Sequence, residues 1–91
     1  MGDGYRLEIT PAARRQVVSL APLVQSRVRQ AIRALALGPR PHEARLLAGQ
    51  AGPRVWRVRV GDYRVLYEIR DKELVVLVVG SGHRREVYRS R

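Results

Sequence analysis

Apolar and polar residues alternate along residues 55–67, and two alternating runs flank the pair Gly61-Asp62. Side chains of a β-strand point to opposite faces with a period of two, so each run is typical of a strand with one buried face. The pair Gly61-Asp62 fits a type II′ turn, because glycine adopts a positive φ without strain. A two-residue turn at this position sets the register of the hairpin and brings Arg59 opposite Arg64.

The predicted hairpin has one apolar face and one basic face. The apolar face is expected to join the core and consists of Trp56, Val58, Val60, Tyr63, Val65 and Tyr67. The other face carries Arg57, Arg59 and Arg64, beside Leu66 and Glu68. Like charges opposite each other destabilise a sheet, by about 1–3 kcal/mol for guanidinium groups ~6 Å apart. The cluster therefore indicates an anionic partner, with a plain solvated surface as the alternative.

The residues before the hairpin predict a strand followed by two helices. Alternation over residues 5–9 indicates a short strand, and Thr10 has the residue type of an N-cap for a first helix over 11–19. Pro22 suits the first turn of a second helix. The apolar stripe of that helix consists of Val24, Val28, Ala31, Ile32 and Leu35. Gly38-Pro39 is expected to end it, with the glycine in a left-handed cap.

The residues after the second helix complete a sheet. Residues 40–53 are rich in Pro and Gly and predict a loop, anchored to the core by Leu46 and Leu47. The apolar run 74–79 indicates a central strand, which follows the hairpin after a tight turn over 70–73. The first strand is expected beside this last one. The predicted fold is α+β, β-α-α-β-β-β: a four-stranded, antiparallel-rich sheet with the helical hairpin on one face, in a single domain over residues 1–91.

The composition of the chain limits which ligands and partners it can bind. The chain has no cysteine and a net charge of +10. The absence of cysteine excludes disulfides and thiolate metal ligands, and His42 and His83 are too far apart in sequence to predict a metal site. There is no apolar run of membrane-spanning length and no signal-peptide pattern, so a cytoplasmic location is expected. The charge favours a polyanion, either nucleic acid or an acidic protein, and arginine binds phosphate bidentately.

Two segments are informative together: the hairpin 56–69 with its Gly-Asp-Tyr-Arg turn, and the tail Gly-His-Arg-Arg-Glu-Val-Tyr-Arg over 82–89. With the strand-helix-helix start, they resemble the RelE/ParE superfamily of bacterial type II toxins, and its RelE branch in particular, over residues 5–89. The resemblance implies a toxin that cuts messenger RNA in the ribosomal A site, without a metal or other cofactor.

The resemblance also implies roles for residues on the sheet. The basic pair of the family's second strand falls on Arg57 and Arg59, and the third-strand arginine falls on Arg64. The best-known members have lysines in place of the basic pair. Arginine cannot act as a base, because its pKa lies above about 12. Arg57 and Arg59 are therefore expected to position and neutralise phosphate, while Arg64 belongs to the catalytic set.

The resemblance also implies roles for residues of the tail 82–89. The family's tail arginine falls on Arg84, with Arg85 as an alternative that would bind phosphate, and its tyrosine falls on Tyr88. Tyr88 is the expected base or base-orienting group, and Arg84 would support the leaving oxygen. His83 is the alternative base, because its reference pKa of about 6.5 needs no tuning.

The expected partners are the ribosome with its mRNA and a cognate RelB-like antitoxin, which would offer an acidic or amphipathic segment and form a hetero-oligomer with the toxin. Two other functions remain open from the sequence. One is a ParE-like poison of DNA gyrase, which has the same fold. The other is an RNA-binding module without catalysis, which would use the same arginines for affinity alone.

Overall fold

The computed structural model describes residues 4–47 and 54–83. In chain order, the elements in these ranges are β1 (Arg6–Ile9), α1 (Pro11–Val18), α2 (Pro22–Leu37), β2 (Arg45–Leu46), β3 (Trp56–Val60), β4 (Tyr63–Arg70) and β5 (Val75–His83). The strands form one sheet in the order β1-β5-β4-β3-β2. β1 runs parallel to β5, and the other neighbours are antiparallel. The predicted α+β class, the helix pair and the position of β1 beside the last strand are confirmed.

β2 corrects the predicted four-stranded sheet to five strands within the described ranges. Arg45 and Leu46 pair with Arg57 and Trp56 of β3, in a stretch that the sequence predicts as a loop. Two residues are too few to show a period-two pattern, and the strand forms because the edge of β3 supplies hydrogen-bonding partners. Leu46 is 39% exposed and is not the expected core anchor.

The hairpin of β3 and β4 has the predicted register, with Arg59 opposite Arg64. Gly61 has a φ of 61°, and Asp62 does not share this positive φ. This combination is the one that a type II′ turn requires. The local sequence of the turn is therefore sufficient to explain the pairing of the two strands.

Capping residues explain where the helices begin and end. The Thr10 hydroxyl accepts a hydrogen bond from the Ala13 N–H at 3.1 Å, so α1 begins where predicted. Pro22 opens α2. The left-handed cap expected at Gly38 is wrong: its φ is −155°, because the residue before a proline, here Pro39, favours extended backbone. In the described part of the chain, neither helix is long and apolar enough to cross a membrane.

Both helices pack on one face of the sheet, and the core lies between these two layers. Its buried members are Ala13, Val17, Val28, Ile32, Leu35, Val58, Val65, Tyr67, Val76 and Val78. The predicted apolar face of the hairpin is thus part of the core. Tyr67 is fully buried, and its hydroxyl donates to the Pro39 carbonyl at 2.8 Å. Burial raises the pKa of the Tyr67 phenol to about 12.

A bulge in β5 changes which of its residues face the helices. The register with β4 shifts between residues 66 and 67, and Val79 is the extra residue. Beyond it the alternation of side chains is displaced by one position, so Ser81 lies on the covered face. Ser81 is 2% exposed, and its N–H donates to the Gln16 side-chain oxygen of α1 at 2.7 Å.

Asp71, in the turn between β4 and β5, connects three parts of the chain. It accepts a hydrogen bond from the Tyr5 hydroxyl at 2.6 Å and forms an ion pair with Arg40 at 2.8 Å. Arg40 also lies over the Trp56 ring, 5.5 Å from its centroid. The Arg40 guanidinium and then the Tyr5 hydroxyl lower the pKa of Asp71. These contacts hold the start of β1 and the α2–β2 connection against the sheet.

Candidate functional site

Four arginines of β2, β3 and β4 face one another across neighbouring strands, on the side of the sheet opposite the helices, and are termed here the arginine face. Arg57, Arg59 and Arg64 alternate with core residues of β3 and β4. Arg45 joins them because β2 sets it opposite Arg57. The three arginines predicted from the sheet sequence are thus brought together on one surface, and Arg45 is a member that the sequence did not predict.

Two cross-strand pairs on the arginine face join like charges. Arg59 is opposite Arg64, and Arg45 is opposite Arg57. Residues directly opposite have Cβ atoms about 4.5–5.5 Å apart, and like charges there destabilise the sheet. A phosphate group between two guanidinium groups relieves this repulsion, because each arginine fork donates two parallel hydrogen bonds to an anion. The arrangement therefore favours phosphate as a ligand.

The members of the arginine face differ in burial. Arg45 and Arg59 are exposed and Arg57 is half-buried, whereas Arg64 is only 6% exposed. On β5 the residue opposite Arg64 is Gly82. A buried side chain has little freedom to move, and a positive charge held at one point is suited to stabilising charge that develops in a reaction.

A groove of about 410 Å³ adjoins the arginine face at the β2 edge. Its lining residues are His42, Glu43, Arg45, Arg57 and Arg59. The contribution of residues 42–45 is not evident from the sequence, because the Pro- and Gly-rich stretch predicts only a loop. The one signal that could have found them is the Arg-Leu pair at 45–46, which is too short to be recognised without its partner strand.

The predicted tail residues are described only in part. The backbone of His83 ends β5 and pairs with Tyr63, the residue that precedes Arg64. Arg84, Arg85 and Tyr88 lie outside the described residues. Their roles stay predictions.

A second groove of about 190 Å³ lies on the helical side, between the edge strand β1 and the two helices. Its lining is apolar with basic residues among it: Leu7, Ile9, Arg14, Val17, Val18, Arg29, Ile32 and Arg33. This surface is chemically different from the arginine face, because its arginines accompany aliphatic side chains. Among residues 4–47 and 54–83, no three His, Cys, Asp or Glu side chains converge to hold a metal ion.

The fold is shared with solved toxin structures. A chain of the archaeal RelE-RelB complex from Pyrococcus horikoshii OT3 is 27% identical, with a TM-score of 0.77 over 89% of this chain and 96% of that chain. A chain of the RelBE2 toxin-antitoxin complex from Mycobacterium tuberculosis is 27% identical, with a TM-score of 0.78 over 89% and 99%. The isolated E. coli RelE toxin is 26% identical, with a TM-score of 0.70 over 92% and 90%.

Comparison of the sequence with protein families agrees with these structures. No curated protein sequence matches the chain. The sequence model of the family described as "ParE toxin of type II toxin-antitoxin system, parDE" matches residues 7–88, which is nearly the whole chain. The chain therefore belongs to the ParE toxin family of type II toxin-antitoxin systems, within the RelE/ParE superfamily.

Proposed function

We propose that this protein is a ribosome-dependent mRNA endoribonuclease, the toxin of a type II toxin-antitoxin pair. The arginine face carries the proposal, because paired arginines on adjacent strands suit the negatively charged backbone of RNA. The similarity to RelE structures supports the same function. The reaction is attack of a ribose 2′-OH on the neighbouring phosphate, which requires no metal.

This reaction needs three contributions from the protein. A base removes the proton of the 2′-OH, positive charge stabilises the phosphoryl oxygens, and a proton reaches the leaving 5′ oxygen. Arg57, Arg59 and Arg64 supply the positive charge. Arg59 is exposed and available to the RNA, while the buried Arg64 offers a charge at a fixed point. None of the three supplies the base, because arginine does not lose its proton near neutral pH.

The tail supplies the remaining groups in this proposal. Tyr88 is the base, and about one phenol in a thousand is ionised at neutral pH unless nearby arginines lower its pKa. His83 is the second candidate, and its backbone pairs with the residue next to Arg64. Arg84 supports the leaving oxygen, and Arg85 binds a phosphate.

The decisive experiment is translation-dependent cleavage. The purified chain is added to ribosomes programmed with a defined mRNA, and the cuts are mapped by primer extension. We expect cuts in register with codons, and their loss in Arg59→Gln and Arg64→Gln. The matched control is Arg27→Gln, which removes an exposed charge from α2 and should keep full activity. A folded wild type that makes no cuts overturns the proposal.

The same assay separates the two candidate bases. Tyr88→Phe keeps the ring and removes only the hydroxyl, and His83→Gln keeps a polar side chain without the imidazole. If Tyr88 is the base, cleavage falls in Tyr88→Phe across the whole pH range. Full cleavage by Tyr88→Phe would remove Tyr88 from the mechanism and leave His83 as the base.

A cognate antitoxin is part of the proposal. The structures of similar proteins include toxin-antitoxin complexes from Pyrococcus horikoshii OT3 and Mycobacterium tuberculosis. The groove between β1, α1 and α2 suits an amphipathic, acidic segment, because aliphatic side chains line it together with Arg14, Arg29 and Arg33. The net charge of +10 would make association fast and sensitive to salt.

Poisoning of DNA gyrase is the second candidate, and the match to the ParE family favours it. Trapping of gyrase-DNA cleavage complexes by the purified chain tests it directly. Trapping without mRNA cleavage would favour this reading. RNA binding without either activity would instead indicate a binding module.

A further inference from the structure

We propose that the groove lined by residues 42–45 and β3 is a second phosphate subsite, in which Arg45 positions the RNA phosphodiester next to the one that is cut. The inference rests on the proposed function, since it takes RNA as the ligand. It adds a residue and a surface that the resemblance to toxins did not suggest for this chain, namely the short edge strand β2.

The position of β2 separates Arg45 from the centre of the arginine face. Arg45 pairs with Arg57 on β3, and Arg64 lies one strand further on, on β4. Neighbouring strands are about 4.8 Å apart, so two strand spacings set Arg45 at least about 10 Å from Arg64. Side chains of a sheet stand roughly perpendicular to it, so this separation is kept above the surface. A phosphate held between Arg59 and Arg64 lies about two strands away from Arg45, so Arg45 is better placed to meet the neighbouring phosphate.

The groove has the size and charge for this role. Its volume of about 410 Å³ is near the lower end of the range for small-molecule sites, roughly 300–1,000 Å³. It is therefore large enough for one nucleotide unit. Arg45, Arg57 and Arg59 line it against a single carboxylate, that of Glu43, so its net charge is positive.

The Arg45 guanidinium is held in place by the backbone of its own loop. Its Nη1 donates to the His42 carbonyl at 3.4 Å and to the Ala44 carbonyl at 3.2 Å. Ala44 is buried, so the loop that carries these carbonyls is attached to the core. These contacts restrict the guanidinium, so it loses less freedom when it binds phosphate than an unrestrained one would.

Binding to a single-stranded RNA that carries a 2′-deoxy sugar at the cleavage site tests the subsite without cleavage. We expect Arg45→Gln to weaken binding roughly tenfold at low salt, as for loss of a charge-assisted hydrogen bond. The slope of log K against log salt should become shallower by about 0.7, the value for one phosphate contact to a single strand. Arg27→Gln, with the same change of charge on α2, should alter neither quantity. Arg45→Lys should recover the slope and only part of the affinity.

Neutral methylphosphonate linkages then locate the contact. In the wild type, a neutral linkage beside the scissile one should weaken binding, and Arg45→Gln should cause no further loss on that RNA. When the neutral linkage is instead at the scissile position, the loss of affinity that it causes and the loss caused by Arg45→Gln should add. The subsite would be overturned if the loss from Arg45→Gln added to the loss from the neutral linkage at every neighbouring position. It would also be overturned if Arg45→Gln bound RNA as Arg27→Gln does.

The outcomes keep the two proposals apart. A wild type that cuts mRNA, with an Arg45→Gln variant equal to the control, removes the subsite and leaves the nuclease. A wild type that binds RNA through Arg45 but makes no cuts removes the nuclease and leaves the subsite. A wild type that does not bind this RNA removes the subsite, and the ribosome assay then decides the nuclease by itself.

Discussion

The two faces of the sheet are built from the same strands and have opposite character. On the covered face, Val65 and Tyr67 are fully buried against the helices. On the arginine face, alternate positions of the same strands carry charges that repel across the strand pairs. Burial of apolar area stabilises the fold, by about 25 cal/mol per Å², whereas opposed like charges destabilise it. The covered face therefore stabilises the structure, whereas the arginine face keeps charges that lower its stability.

The largest effect is expected from breaking the covered face. Tyr67→Ala should lower the free energy of unfolding by about 3–5 kcal/mol, because it removes a fully buried aromatic side chain and leaves a cavity. Chemical unfolding followed by the fluorescence of Trp56, the single tryptophan, measures it. A loss below about 1 kcal/mol would mean that the covered face is not the source of stability.

High pH should also weaken the covered face. The Tyr67 pKa is raised to about 12, so the fold favours the neutral phenol. The resulting stabilisation is complete below the unfolded pKa of about 10 and is lost as the pH rises through 12, by up to about 2–3 kcal/mol.

Unfolding measured between about pH 9 and pH 12 checks this, with Tyr67→Phe as the control. The Phe variant should be less stable at neutral pH by about 1–2 kcal/mol, because the Pro39 carbonyl loses its hydrogen bond. Its stability should fall less steeply at high pH than that of the wild type. Equal slopes for the two proteins would contradict the role of Tyr67.

The turn that sets the two faces in register should show a smaller effect. Gly61→Ala should lower the free energy of unfolding by about 1–2 kcal/mol, because alanine is strained at a φ of 61°. An added Cβ would meet no atom within 4 Å, so no steric clash adds to the backbone strain. Gly61→Asn is the control and should lose less, since asparagine tolerates this conformation. Equal losses in both variants would exclude this explanation.

The smallest effect on stability is expected on the arginine face, with the opposite sign. Arg59→Gln should raise the free energy of unfolding by about 0.2–1 kcal/mol, because it removes the repulsion from Arg64. High salt should shrink this gain by screening the charges. The same variant should lose mRNA cleavage in the ribosome assay. A variant that is destabilised at low salt would show that Arg59 contributes to the fold.

Local patterns were sufficient for much of the fold. Thr10 caps α1 as its residue type predicts, and Gly61 turns the hairpin in the predicted register. Both features depend on residues a few positions apart. Gly38 was predicted wrongly because the preference of a residue before proline outweighed the preference of glycine for a left-handed cap.

The candidate site was predictable to a lesser extent. The sequence brought Arg57, Arg59 and Arg64 to one face, because alternation and the turn determine which side chains share a side. It did not predict Arg45, since a two-residue edge strand has no pattern of its own. The roles of Arg84 and Tyr88 stay predictions.

The sequence by itself determined the two faces of the hairpin, because a period of two and a two-residue turn are local properties of the chain. Only the tertiary structure decided which other segments of the chain lie beside each face. The pairing of β2 with β3 added Arg45 to the arginine face, and the bulge at Val79 displaced the alternation of β5 so that Gly82 lies opposite Arg64. These outcomes depend on hydrogen bonds and packing between segments far apart in the chain.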